Sequence, residues 1–203
     1  MEIHPYYFSW QKRTFDLIIA LFLLIVTLPL LILISLVILI TTGTPIIYRQ
    51  KRAGLKKKPF IIYKFRVMYV GAEKNQWRYR QQSSAPLPMY KNWHDPRFVG
   101  IGRLLSRTGL DELPQLVNVL KGEMSLVGPR PLPISEAKQL SKQWDFRYQV
   151  KPGIFSQWSA AFKKKLTLKE WQRLERKTLQ QGGVKYEVNL IINTLKKILK
   201  NKS

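Results

Sequence analysis

Twelve carboxylates are spread over 203 residues, and only one pair of them is adjacent, Asp111-Glu112. The residue types set what chemistry is possible. There are no cysteines, so thiol nucleophiles, disulfides and zinc–thiolate sites are excluded. The only histidines are His4 and His94, too few for a three-histidine metal site. The pair precedes Leu113, Leu116, Val117 and Leu120, whose spacing predicts a helix over 111–120. Pro114 is tolerated in its first turn, and Gly122 ends it. Free backbone N–H groups and the helix dipole favour anions at such a start. A carboxylate held ionised there suits a nucleophile or a metal ligand. The same two residues would also serve as ordinary helix capping. Basic groups lie near the pair in sequence: Arg103, Arg107, Lys121 and Arg130.

The partners of this chemistry are anionic. The formal net charge is +23, and with 45% hydrophobic residues the chain is no disordered basic tail. Leu17 to Ile40 contains no charged side chain, and only Thr27, Pro29 and Ser35 interrupt it. A straight helix of that length reaches roughly 36 Å, enough for a ~30 Å hydrocarbon core. The run is too long for the apolar core of a signal peptide. Pro29 at its centre removes a backbone donor, so each half would reach only about half the core. Lys12 and Arg13 precede the run, and Arg49, Lys51 and Arg52 follow it. Basic residues at both ends favour entry and exit by the cytoplasmic face, although a kinked spanning helix is open on these grounds.

Segments 45–50 and 59–66 are β-branched and aromatic around a basic turn, which predicts a β-hairpin. A helix is expected near Ala72–Gln81, followed by a long loop, and Ser135 can cap a helix running towards Trp144. Val188, Ile191, Ile192, Leu195, Ile198 and Leu199 form an apolar stripe beside Lys196, Lys197 and Lys200, the pattern of a helix in an anionic membrane interface. A plain amphipathic core helix would give the same stripe. The aromatics Trp77, Tyr79, Tyr90 and Trp93 among basic residues permit nucleic-acid binding. No helix-turn-helix, zinc-finger or RNA-recognition pattern accompanies them, and an apolar run has no use in a soluble DNA binder, so no nucleic-acid partner is expected.

The sequence resembles the bacterial sugar transferases, small monotopic phosphoglycosyl transferases, from about Lys12 to Leu199. The most specific stretch runs from Gly109-Leu-Asp-Glu-Leu-Pro through Gly128-Pro-Arg-Pro131. Lys12-Arg13-Thr14-Phe15-Asp16, the hairpin segments, Asp95-Pro96-Arg97 and Lys151-Pro152-Gly153-Ile154 add to it. The resemblance implies transfer of a sugar 1-phosphate from a UDP-sugar to undecaprenyl phosphate, with release of UMP. It implies Asp111 as nucleophile, forming a covalent phosphosugar intermediate, Glu112 as its catalytic neighbour, and Mg2+ bound at Asp111. Arg130, with Arg107, Lys64 and Arg66, is implied to hold the nucleotide. The fold implied is α+β and mostly helical. It has a re-entrant, proline-broken membrane helix in residues 1–44 and an interfacial catalytic domain in 45–203, on the cytoplasmic face of the bacterial inner membrane. A homo-oligomer is possible, since the interfacial helix could dock a second copy. The alternative is a membrane-anchored basic binding protein without catalysis.

Charge arithmetic agrees with the implied metal. A carboxylate ~4 Å from a phosphoryl charge is repelled by ~4 kcal/mol at an effective dielectric near 20, about a thousandfold in rate. A divalent cation and arginines offset that penalty. The sequence also departs from the family pattern. Ser106 stands where a basic residue is usual, Gly109 and Val67 where serines are, and Glu175 and Glu187 where late aspartates are. Phe155-Ser-Gln-Trp158 replaces the usual Thr-Gly-Leu-Trp. These changes bear on sugar recognition more than on the reaction.

Overall fold

A computed structural model describes residues 1–83, 85–92, 94–157 and 166–200, with side chains up to Ile198. Trp93, Trp158 and the side chains of Leu199 and Lys200 therefore lie outside the described residues. The chain is mostly helical. Helix α1 runs Trp10–Thr42. Its start is capped by the Ser9 hydroxyl, which accepts from Lys12 N at 3.2 Å. It stops at Gly43, whose φ of +71° suits a residue without Cβ. It is the one helix among the described residues long and apolar enough to cross a membrane by length and composition.

The expected break at Pro29 is not seen: the proline sits inside one uninterrupted helix. Proline removes the N–H that would reach the Ile25 carbonyl. Packing on either side keeps both halves helical. Ala20, with Phe15, Ile19, Leu23 and Leu24, joins a core of Ile62, Leu116, Val119, Met124 and Leu126. Ile34 and Ile38, with Leu31, join Phe65 and Leu105. Both ends of α1 are tied to the same body. Arg13 donates to the Val119 and Leu120 carbonyls at 2.7 and 3.0 Å near one end. Arg66 Nη2 donates to the Thr42 and Gly43 carbonyls at 2.7 and 2.6 Å at the other. The opposite face stays exposed and apolar, from Ile18 and Phe22 through Ile25 and Leu33 to Ile40.

Strands β1 (Ile47–Ala53) and β2 (Pro59–Phe65) form the expected antiparallel hairpin, with Ile47 opposite Phe65 and Ala53 opposite Pro59. The expected helix after it is a 3-10 helix, Ala72–Gln82. Helix α2 (Gly102–Thr108) ends at Gly109 in the left-handed region, φ +74°. The predicted 111–120 helix is shorter. Leu110–Glu112 is a 3-10 turn, and α3 spans Gln115–Leu120, because Pro114 cannot donate to the preceding turn.

Strand β3 (Ser125–Val127) pairs in parallel with β4 (Gly153–Phe155), a pairing the sequence did not signal because the two strands are remote and three residues each. A Cβ on Gly153 would lie 2.0 Å from Gly128 N, so a glycine is required where β4 abuts the Gly128-Pro-Arg-Pro131 turn. After β3 comes α4 (Ile134–Ala137), so the helix expected to reach Trp144 is a single turn followed by a 3-10 helix, Lys142–Gln149. Helix α5 (Leu168–Gln180) carries a Thr167–Glu170 capping box. Helix α6 (Val184–Lys200) buries Glu187, Leu190 and Thr194 and exposes Val188, Ile192 and Leu195.

Candidate active site

Asp111 and Glu112 are set by geometry on both sides. Left-handed Gly109 reverses the chain out of α2, and Glu112 N donates back to the Gly109 carbonyl at 3.0 Å, closing the 3-10 turn. The turn faces a cavity of about 800 Å3 lined by Asp111, Glu112, Lys64, Lys91, Arg130, Arg52 and Glu136, among others. Lys64 on β2 places Nζ 2.5 Å from Glu112 Oε1. Arg130 Nη1, from the Gly-Pro-Arg-Pro turn, lies 3.6 Å from the same oxygen. These charges divide the pair. Burial alone would push Glu112 up, but Lys64 and Arg130 outweigh it and hold its carboxyl well below the usual range. Asp111 goes the other way. Burial pushes it up, to about 6, with Glu112 adding to the rise and Lys64, Lys91 and Arg130 opposing it. The sequence-based expectation of a carboxylate kept ionised by a helix start holds for Glu112, through side-chain cations. It does not hold as stated for Asp111, which is 7% exposed and not on α3.

Arg130 is held from behind. Arg147 Nη2 donates to the Arg130 carbonyl at 2.6 Å and to Glu175 Oε1 at 3.0 Å, and Trp171 Nε1 donates to that same oxygen at 2.9 Å. Glu175 is thus fully buried beneath the turn rather than in the cavity. The other expected site residues are placed differently. Arg66 lines the cavity, but its Nη2 is committed to Thr42 and Gly43 at the end of α1. Arg107 is exposed and does not line the cavity, nor do Arg103 and Lys121. Lys121 donates instead to the Tyr63 hydroxyl at 3.0 Å. Ser106 does line it.

Lys91 and Glu136, which no motif pointed to, also line the cavity, as does Arg52, noted from the sequence only as a basic residue after the apolar run. Lys91 comes from the long loop. Its N–H donates to Ser83 Oγ at 3.2 Å, between fully buried Met89 and a Tyr90–Asp95 hydrogen bond of 2.6 Å. Burial, then the charge of Arg130, lowers its ammonium to about 8, while Glu112 and Asp111 pull it back up. No cluster of three or more His, Cys, Asp or Glu exists among the described residues. A metal here would therefore rest on Asp111 and on ligands a phosphorylated substrate brings, the usual situation for Mg2+. Glu112 is already engaged by Lys64 and Arg130, which leaves Asp111 as the carboxylate suited to it.

The family description "bacterial sugar transferase" matches residues 7–201. The chain belongs to this family. Among its relatives, an undecaprenyl-phosphate galactose phosphotransferase of Salmonella typhimurium is 37% identical over 158 residues, covering 74% of this chain and 32% of the relative. A UDP-glucose:undecaprenyl-phosphate glucose-1-phosphate transferase of Escherichia coli K12 is 37% identical over 146 residues, covering 70% and 29%. An uncharacterized sugar transferase of Bacillus subtilis strain 168 is 40% identical over 143 residues, covering 70% and 64%. The chain thus spans about a third of the length of two of these relatives and under two thirds of the third. The galactose- and glucose-named relatives match it at the same 37% identity, so likeness does not select a sugar.

Proposed function

We propose that this chain transfers a sugar 1-phosphate from a UDP-sugar to undecaprenyl phosphate, releasing UMP, at the cytoplasmic face of a bacterial inner membrane. Such a transfer begins the assembly of a glycoconjugate. The observation that carries the reading is a buried aspartate facing a large cavity whose other charges are mostly cationic: Asp111 beside Lys64, Lys91 and Arg130. An Asp111 Oδ attacks the sugar-bearing phosphorus, an Asp–phosphorus bond forms, and the bond to the UMP oxygen breaks, with UMP leaving as the anion. The undecaprenyl phosphate oxygen then attacks that phosphorus, the aspartyl bond breaks, and the carboxylate is regenerated. One phosphoanhydride replaces another, so no ATP enters. Lys64 and Arg130 hold Glu112 ionised and bring positive charge to the departing phosphate. Mg2+, bound by Asp111 and the donor phosphates, would neutralise charge between nucleophile and phosphoryl group.

The acceptor's tail stays in the bilayer, so the site must sit at the interface. The exposed apolar face of α1, tied at both ends to one body, supports a re-entrant anchor. The exposed Val188, Ile192 and Leu195 of α6, beside Lys196 and Lys197, support an interfacial helix. The test is UMP release from a panel of UDP-sugars with undecaprenyl phosphate and Mg2+. Intact-mass analysis after brief mixing with donor alone should show a phosphosugar adduct that acceptor removes. No turnover with any donor of the panel in an active lipid preparation favours a non-catalytic binding protein instead.

A further inference from the structure

The cavity extends beyond the phosphate chemistry. Glu136 on α4 is 7% exposed and lines the cavity with Leu132, Pro133 and Trp171. Its one side-chain contact of note is a long one, Gln76 Nε2 to Oε1 at 3.4 Å. Arg52 on β1 lines the same cavity. Its Nη1 is spent on the Pro131 carbonyl at 2.9 Å, but its Nε is buried and has no hydrogen-bond partner. Burial pushes the Glu136 carboxyl up, and the positive charges of Arg52 and Arg130 only partly offset this. The Glu136 carboxylate and the Arg52 guanidinium thus line one space, and a buried carboxylate with only one long hydrogen bond is costly to leave so. A neutral alcohol answers this, since its hydrogen goes to the carboxylate while its oxygen turns towards the positive Arg52 side chain. A second phosphate would suit Arg52 but be repelled by Glu136.

We propose that Glu136 and Arg52 form a hydroxyl-reading station for the neutral part of the donor, contacting an alcohol of either the sugar ring or the ribose. The inference rests on the donor reading above and adds specificity-determining residues to it. The experiment uses the full chain in lipid and whichever donor of the UDP-sugar panel turns over. Analogues of that donor, each lacking one sugar hydroxyl or one ribose hydroxyl, are compared for wild type and Glu136→Gln. A hydrogen bond to a charged group predicts a loss of about 10- to 100-fold in kcat/KM when the right hydroxyl is removed, and a similar loss for Glu136→Gln on the intact donor. The two losses should not combine: Glu136→Gln should change kcat/KM less than about threefold on that one analogue. A sensitive position on the sugar or on the ribose tells which alcohol is read. Equal loss on every donor, or no loss on any, overturns the station while leaving the reaction standing. Absence of turnover in wild type overturns both. Should Glu136→Gln not fold, Arg52→Lys, which keeps the charge and removes the guanidinium fork, is run through the same series against the same criterion.

Discussion

Glu187→Gln should make the protein more stable at pH 8 while leaving it nearly unchanged at pH 5. Lys12, Asp16 and Glu187 are 4%, 2% and 0% exposed, so one ammonium is buried with two carboxylates. Lys12 Nζ lies 2.9 Å from Asp16 Oδ1 and 2.7 Å from the Glu187 carboxylate. Asp16 Oδ1 also accepts from Leu126 N at 3.0 Å and Ser125 Oγ at 3.2 Å, whereas Glu187 relies on Lys12. Burial therefore pushes Glu187 up to about 7, against the pull of Lys12 and with a further push from Asp16. The folded value is above the unfolded one. The stabilisation from a protonated Glu187 is thus full below about pH 4.5 and is lost as pH rises through about 7. Between pH 5 and 8 the loss comes to about 2.5 kcal/mol at ~1.36 kcal/mol per tenfold. Glutamine mimics the protonated acid and does not titrate. Lys12 keeps Asp16 as its partner, so no lysine charge is orphaned. Thermal unfolding in detergent micelles should then separate the two proteins by about 5–10 °C at pH 8, using ~2–4 °C per kcal/mol for a chain of this size, and by little at pH 5. A gap that does not change between pH 5 and 8, or a variant less stable than wild type at pH 8, would refute the reasoning. Because Lys12 and Asp16 are on α1 and Glu187 is on α6, the same contact holds the apolar helix to the C-terminal one.

Other outcomes follow from the same contacts. Asp111→Asn keeps the shape of the 3-10 turn but removes the nucleophile, so UMP release should fall by at least about a thousandfold and the mass adduct should vanish. More than about a tenth of wild-type activity would contradict the role. Lys91→Met should raise the KM for the UDP-sugar about tenfold or more with a small change in kcat and none in melting temperature, the pattern of a lost phosphate contact. An unchanged KM would remove Lys91 from the site. The chain has no cysteine, so Glu2→Cys and Lys56→Cys each give a single label. Both exposed positions should react with an impermeant reagent from the same membrane face, and reaction from opposite faces would establish a spanning helix.

Much of the framework was legible in local pattern. The apolar run and the hairpin around a basic tip are properties of neighbouring residues and appear as spacing predicts, while the adjacent carboxylates sit in a 3-10 turn just before the expected helix. Pro29 shows the limit of local rules. One missing backbone donor ended the helix on paper, while packing of Ala20 on one side and Ile34 and Ile38 on the other keeps it whole. The site shows the same limit more sharply. Arg103, Arg107 and Lys121 are near Asp111 along the chain but do not line its cavity. Lys64, which does pair with Glu112, is 48 residues away. Lys91 and Glu136 carried no motif and Arg52 no site role, and they meet because β1, β2, α4 and a loop converge on one space. Residue identity alone determined which nucleophile and which anionic partners were possible. Tertiary structure decided which cations serve that nucleophile and which of two adjacent carboxylates loses its proton less readily. Burial and charge fall off over a few ångströms of space, and chain order does not measure that distance.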